Sequence, residues 1–178
     1  MELHSRRLRL VAATLDLAKA ELEDRARFAV LLGAGVPSDW PPETLRDVIP
    51  QFAKWLEDHA DWTGWLGWYA VRLDTPAPVL CGSVGFRGPP DASGMVEIGY
   101  SVLSDHQRQG LATDMVETLV QWAFAQSGVQ SIEAETTDEN LASIRVLECN
   151  HFQRVTREGQ GGSRRYRSTC GRGRPTTR

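Results

Sequence analysis

Apolar positions along the chain change period several times, and each change marks an element. Residues 8–11 (Leu-Arg-Leu-Val) alternate as a short strand. From Asp16, read as a cap, a helical run extends to about residue 32, with Leu17, Ala20, Leu22 and Phe28 among its apolar positions. Gly33 and Gly35 stop it, and residues 37–42 form a loop rich in turn residues. Thr44 with Asp47 three positions on resembles a capping box for a helix ending near His59, with Val48, Phe52, Trp55 and Leu56 on its apolar side. Strand signals follow at residues 65–73, 79–86 and 96–103, separated by Pro76 and Pro78 and by the Gly88-Pro89-Pro90-Asp91 turn. Their connections are too short for crossovers, so the three form an antiparallel meander.

The period then switches. Leu111, Met115, Leu119 and Trp122 fall on one helical stripe that Gly128 ends. Residues 131–135 are a strand and residues 140–150 a second helix with Ile144 and Leu147 facing inward. Residues 152–156 and 165–168 pair as a hairpin across Gly159-Gln160-Gly161-Gly162, and residues 171–178 lack the apolar content for order. No internal repeat or linker appears, so residues 1–170 are expected to be one domain and 171–178 a basic, disordered tail.

Composition changes this picture little. With 41% hydrophobic and 24% charged residues the chain reads as an ordinary globular protein able to bury its own core. The three cysteines, Cys81, Cys149 and Cys170, show no paired spacing and read as reduced thiols of a cytoplasmic protein. There is no signal-peptide pattern and no apolar run of about 18 residues, so no membrane partner is expected. Charge is more informative. The net −3 divides into +6 from Arg157 onward and −9 before it. An acidic body repels polyanions except through its tail, and no aromatic-interleaved basic surface supports base readout, which argues against a nucleic-acid partner. His4, His59, His106 and His151 form no ligand-like cluster, so no metal is expected.

The candidate chemistry lies where the third meander strand meets the following helix. A strand ends at Leu103, a polar turn follows, and a helix begins near Gly110. The free N–H groups of a first helical turn, with the helix dipole, attract phosphate. Gly110 lets a bulky anion approach the backbone, Ala112 keeps the next position small, and Arg108 adds a positive charge. Neither GxxxxGK[ST] nor GxGxxG is present, and a plain strand-to-helix turn would show the same small residues.

The neighbours of that turn carry a resemblance. Val96-Glu97-Ile98-Gly99-Tyr100-Ser101-Val102 enters it, and Asn140-Leu141-Ala142-Ser143-Ile144-Arg145-Val146-Leu147-Glu148 stands downstream, followed by Phe152. Together with Gln107-x-x-Gly110-x-Ala112, which looks like the acetyl-CoA motif [QR]xxGx[GA], these resemble the GNAT superfamily of N-acetyltransferases. The branch with ribosomal-protein N-terminal (alanine or serine) acetyltransferases is the most similar. The resemblance spans residues 5–157 and includes Cys81-Gly82-Ser83-Val84-Gly85-Phe86. It implies a mixed α/β (α+β) fold: a mostly antiparallel twisted sheet of six to seven strands, helices on both faces, and a splayed central parallel pair. It also implies transfer of an acetyl group from acetyl-CoA to a primary amine by direct attack in a ternary complex. The acceptor, a protein N-terminus or a small amine, is left open, as is a homodimer. A non-catalytic acyl-CoA-binding module is the alternative.

By the same resemblance the coenzyme would rest on Val102, Leu103, Gln107, Arg108, Gln109, Gly110, Leu111, Ala112 and Thr113, with Asn140 and Ser143 on its pantetheine arm. Asn140 is equally a good helix N-cap. Glu97 is the candidate base, a backbone N–H near Val102 the oxyanion donor, and Ser143 the best-placed hydroxyl for the leaving sulfur. Trp40 and Tyr100 are candidate substrate contacts, although strand alternation sets Tyr100 on the face opposite Glu97. Two departures stand out. His151 replaces the glycine that the branch carries before Phe152, implying a different or strained helix end. Leu147 occupies the position, seven after Asn140, where many GNAT enzymes carry a tyrosine acid.

Overall fold

A computed structural model describes residues 1–158 and 163–170. The expected Gly159–Gly162 turn and the tail from residue 171 lie outside the described residues. Eight strands form one sheet, in the order β1-β2-β3-β4-β5-β6-β8-β7. In chain order they are β1 Glu2–His4, β2 Leu8–Ala12, β3 Gly67–Arg72, β4 Val79–Phe86, β5 Met95–Val102, β6 Ser131–Thr136, β7 Gln153–Glu158 and β8 Arg164–Thr169. Only β1 lacks a sequence signal: three residues at an edge, paired to β2, are too few to display alternation. The β3-β4-β5 meander is antiparallel as expected.

The helices are α1 Leu15–Glu23, α2 Arg25–Leu32, α3 Glu43–Arg46, α4 Ile49–Asp58, α5 Leu111–Phe124 and α6 Leu141–Cys149. Two expected helices are broken. The run from residue 16 to 32 divides at Asp24, which leaves helical geometry (φ −148°, ψ 90°) and caps α2 by accepting from the Arg27 N–H at 3.0 Å. The cap of α1 is Thr14, not Asp16: Thr14 accepts from Leu17 N–H at 3.3 Å, and Asp16 is the second residue of the first turn. A short aspartate side chain that competes for backbone N–H groups makes such a break. The expected capping box at Thr44 is absent. α3 starts after Pro42 with no side-chain cap, and a separate α4 starts at Ile49 with Pro50, a residue suited to a first helical turn, next. The hydroxyl of Thr44 instead lies 3.3 Å from Ser101 Oγ.

Two cores sandwich the sheet. On one face α5 packs Leu111, Met115 and Leu119 against Trp68, Val84, Phe86, Val96 and Ile98, and α6 adds Leu147. On the other, α1, α2 and α4 pack Leu17, Phe28 and Leu56 against Val11, Tyr69, Val71 and Leu80. Tryptophans pack in the α5-side core: Trp122 contacts Trp65 and Trp68 at centroid distances of 4.9 and 5.4 Å.

The helix α6 ends in a left-handed turn despite having no glycine there. His151 takes φ +61°. Its N–H donates to Glu148 C=O and the Phe152 N–H to Leu147 C=O, both at 3.0 Å. These are the two bonds of a Schellman ending, closed by buried Phe152. The ending is therefore the usual one made by an unusual residue, at a cost of about 1 kcal/mol for a Cβ in that conformation.

Candidate active site

The site begins with a split in the sheet. β5 and β6 are parallel neighbours, but their pairing covers only residues 95–97 against 131–133. From Ile98 onward β5 pairs with β4 alone, up to Gly82↔Val102. Leu103 N–H donates to Cys81 C=O (2.9 Å) and Arg87 N–H to Glu97 C=O (3.1 Å), so the odd-numbered residues of β5 face β4. By ladder alternation the N–H groups of Tyr100 and Val102 point into the gap toward β6. Amide groups aimed into such a gap need a partner.

The turn from β5 to α5 lies at the mouth of the gap. A 3-10 turn (Ser104–His106) leads to Gln107, then Arg108 at φ +58° and Gly110 at φ +76°. Gly110 is the N-cap of α5 and offers no side-chain hydrogen bond. Asp114 is the first helical N–H to find an acceptor, Gly110 C=O at 3.1 Å. No hydrogen bond among the described residues engages the N–H groups of residues 108–113. Six donors at the positive end of a 14-residue helix, with exposed Arg108 beside them, make an anion cradle. The side chains of Leu103 and Leu111 are buried, so those residues offer only backbone to it.

Side chains both near and far in sequence hold the turn in shape. Gln107 Nε2 donates to Val102 C=O (2.9 Å) and Gln109 Nε2 to Asp105 C=O (3.0 Å). Arg7 Nε and Nη2 grip Asp114 Oδ2 at 2.9 and 2.7 Å, and its Nη1 donates to Gln109 C=O at 2.9 Å. Arg72 Nη1 adds a bond to Gln109 Oε1 at 2.7 Å. Gly110 is needed for its φ; a Cβ there would come within 3.3 Å of Arg7 Nη2 and only nudge that guanidinium. Arg7, Arg72 and Asp114 were not legible as site residues. Arg7 and Asp114 are 107 positions apart, and the packing of α5 against β2 brings them together.

The candidate catalytic residues divide between the faces. Tyr100 points toward α6, where its hydroxyl is 2.8 Å from Ser143 Oγ and 3.1 Å from Ser143 C=O. Burial pushes the Tyr100 phenol up to about 12, with the Ser143 bond pulling the other way. Asn140 caps α6, accepting from Ser143 N–H at 3.1 Å. Glu97 lies on the opposite face, as alternation required, and pairs with exposed Arg87 at 2.9 Å. Its strand neighbour on that face is Gly99, where an added Cβ would meet nothing within 4 Å. Open space therefore stands between Glu97 and Ser101. Trp40 is on this second face too, buried against Tyr69. The structure thus groups Tyr100 with Ser143 and Asn140, and separates them from Glu97 and Trp40.

The family described as an acetyltransferase (GNAT) domain matches residues 7–153. The chain belongs to the GNAT acetyltransferases. It is accordingly an acetyl-CoA-dependent N-acyltransferase. A relative from Bacillus subtilis (strain 168), the uncharacterized N-acetyltransferase YjdG, is 31% identical over 146 residues, covering 82% of this chain and 86% of the relative. Among solved structures, the RimL ribosomal L7/L12 alpha-N-protein acetyltransferase in complex with coenzyme A is similar at a TM-score of 0.63 and 18% identity, over 95% of this chain and 98% of that one. A ribosomal-protein-S5-alanine acetyltransferase from Vibrio fischeri matches at 0.60 and 17%, over 98% and 100%. These distant likenesses establish a shared fold. In this GNAT chain Leu147 is fully buried in the core and supplies no proton, while the Tyr100 and Ser143 hydroxyls lie 2.8 Å apart.

Proposed function

We propose that this GNAT chain acetylates a primary amine by direct attack within a ternary complex. The reading is carried by one observation: six unpaired N–H groups of residues 108–113 stand where the β5–β6 pairing opens. They fit a diphosphate, and the inward amides of Tyr100 and Val102 fit the amides of a pantetheine arm. Gln107 holds the turn against Val102, and Asn140 and Ser143 line the α6 side of the gap. When bound, acetyl-CoA supplies a thioester carbonyl open to attack and a thiolate leaving group.

Glu97 takes the proton of the attacking amine through water across the open space at Gly99. Its pairing with an exposed arginine costs little to break, because such pairs are worth only a fraction of a kcal/mol to about 1 kcal/mol. The Val102 N–H, aimed into the gap, steadies charge on the carbonyl oxygen. With its hydroxyl held protonated across the neutral range, Tyr100 gives its proton through Ser143 to the departing sulfur and regains one from water. The C–N bond thus forms as the C–S bond breaks, and both protons have a destination. An α-amine, with an ordinary pKa of about 7.7 to 8.0, needs less help than a lysine. A protein N-terminus and a small amine both satisfy that requirement. We read residues 1–170 as one catalytic domain acting in the cytoplasm. Among the described residues no helix is long and apolar enough to cross a membrane.

The test is calorimetry with acetyl-CoA, followed by thiol release with a panel of amines. Binding with turnover on at least one amine is expected. Absence of acetyl-CoA binding by folded protein contradicts the reading.

A further inference from the structure

On the acceptor side, α1 lowers Glu21 onto the sheet. Its two carboxylate oxygens take hydrogen bonds from Trp40 Nε1 at 2.7 Å and Tyr69 OH at 2.6 Å. Both partners are nearly inaccessible, Trp40 at 4% and Tyr69 at 5% exposure. The carboxylate faces a cleft walled by Ser83 and by apolar residues, among them Leu45, Ile49 and Phe52. Burial pushes the Glu21 carboxyl above the usual carboxylate range, while the two hydrogen bonds hold it back. An acid in such a place is costly to the fold unless it meets a partner. A carboxylate has about four acceptor positions, and Tyr69 and Trp40 occupy two of them.

The cleft lies on the same face of the sheet as the open space at Gly99. Tyr69, Ser83 and Ser101 are successive cross-strand partners on β3, β4 and β5, and Ser83 lines the cleft. Two strand spacings separate Tyr69 from Ser101, roughly 10 Å. Ser101 lies on the segment of β5 that has lost β6, beside the open space at Gly99. Thr44, at 3.3 Å from Ser101, continues the wall that Leu45 begins. Glu21 is therefore too far from the gap to deprotonate the reacting amine, yet it lies on the same face as the open space at Gly99.

We propose that Glu21 is the specificity-determining anchor of the acceptor site, binding a second, non-reacting cationic nitrogen of a small acceptor whose two nitrogens lie roughly 10 Å apart. The indole of Trp40 and the ring of Phe52 flank that nitrogen, an environment that favours an organic cation over a neutral group. This inference rests on the amine-acetylation reading above.

The test compares alkyl diamines of increasing length with amino alcohols of matched length and with a short peptide bearing a free N-terminus. In wild-type protein a diamine is expected to exceed its matched amino alcohol by tenfold or more in kcat/KM, mostly through KM. In Glu21→Gln that ratio falls toward one, while melting and acetyl-CoA binding show that the variant is folded. Should Glu21→Gln fail to fold, the wild-type ratio alone decides. A wild-type ratio near one, a preference for the peptide, or an unchanged ratio in Glu21→Gln overturns the proposal. Diamine binding to the coenzyme-A-loaded protein, followed by calorimetry, separates the two readings. Binding that requires Glu21 without turnover of any amine rejects the activity and keeps the anchor. Turnover of simple monoamines with no diamine binding rejects the anchor and keeps the activity.

Discussion

The two faces of the split sheet are built in different ways. The α5 face presents an anion cradle made of backbone, from contiguous residues 108–113 at one helix start. The α1 face presents a cleft made of side chains, Glu21, Trp40, Tyr69 and Ser83, contributed by a helix, a loop and two strands. A backbone cradle is tied to a short motif, because a turn geometry and a glycine suffice. A side-chain cleft can change its preference one residue at a time without disturbing the sheet. In this chain the coenzyme side is generic and the acceptor side is particular, which is why the family was readable before the acceptor.

Two glycines, one on each side, are the sharpest way to break that comparison. Gly110→Val puts a β-branched residue at φ +76° and its Cβ against Arg7, so acetyl-CoA affinity is expected to fall by about 100-fold or more in calorimetry. Gly99→Val meets open space and no positive φ, so acetyl-CoA binding should persist while acceptor KM rises about tenfold. An effect of Gly99→Val on the coenzyme alone would show that the two sides are not separate. Tyr100→Phe removes the hydroxyl bonded to Ser143, and a drop in kcat of about tenfold or more with little change in coenzyme affinity is expected if it relays a proton.

Smaller effects concern the supports of each side. Arg7→Ala releases Asp114 and the Gln109 carbonyl, and about 1–2 kcal/mol of coenzyme binding should be lost because the turn is no longer held. Alkali provides a global check. Burial raises the folded-state values of Cys81 and Tyr100 to about 12, above their ordinary 9.0 and 10.0. The stabilisation from keeping these groups protonated is complete below the ordinary values. It is lost as pH climbs from about 9 toward about 12, which equilibrium denaturation against pH will show. The smallest change expected is a gain: His151→Gly relieves a left-handed φ of +61° and should raise stability by about 1 kcal/mol in denaturant titration.

Much of the coenzyme side was legible because its causes are local. Gly110 and Ala112 mark the turn, Asn140 marks the start of α6, and the short links at residues 74–78 and 87–94 dictate the meander. Alternation along β5 correctly separated Tyr100 from Glu97. What escaped was decided by tertiary contact. Nothing near Arg7 announces Asp114, and Glu21 looks like any polar position on an amphipathic helix until Trp40 and Tyr69 close on it. The helix breaks at Asp24 and before Pro50 escaped because apolar spacing continues across both. His151 showed that the expected ending can survive the loss of its glycine, since the backbone bonds of Phe152 and the burial of its ring impose it.

The central claim is that the N–H groups of residues 108–113 hold the diphosphate of the coenzyme. Backbone amide shifts recorded during a coenzyme A titration test it most directly. These six amides are expected to move most, with Tyr100 and Val102 next. Saturable binding that leaves residues 108–113 unmoved while shifting amides elsewhere would contradict it.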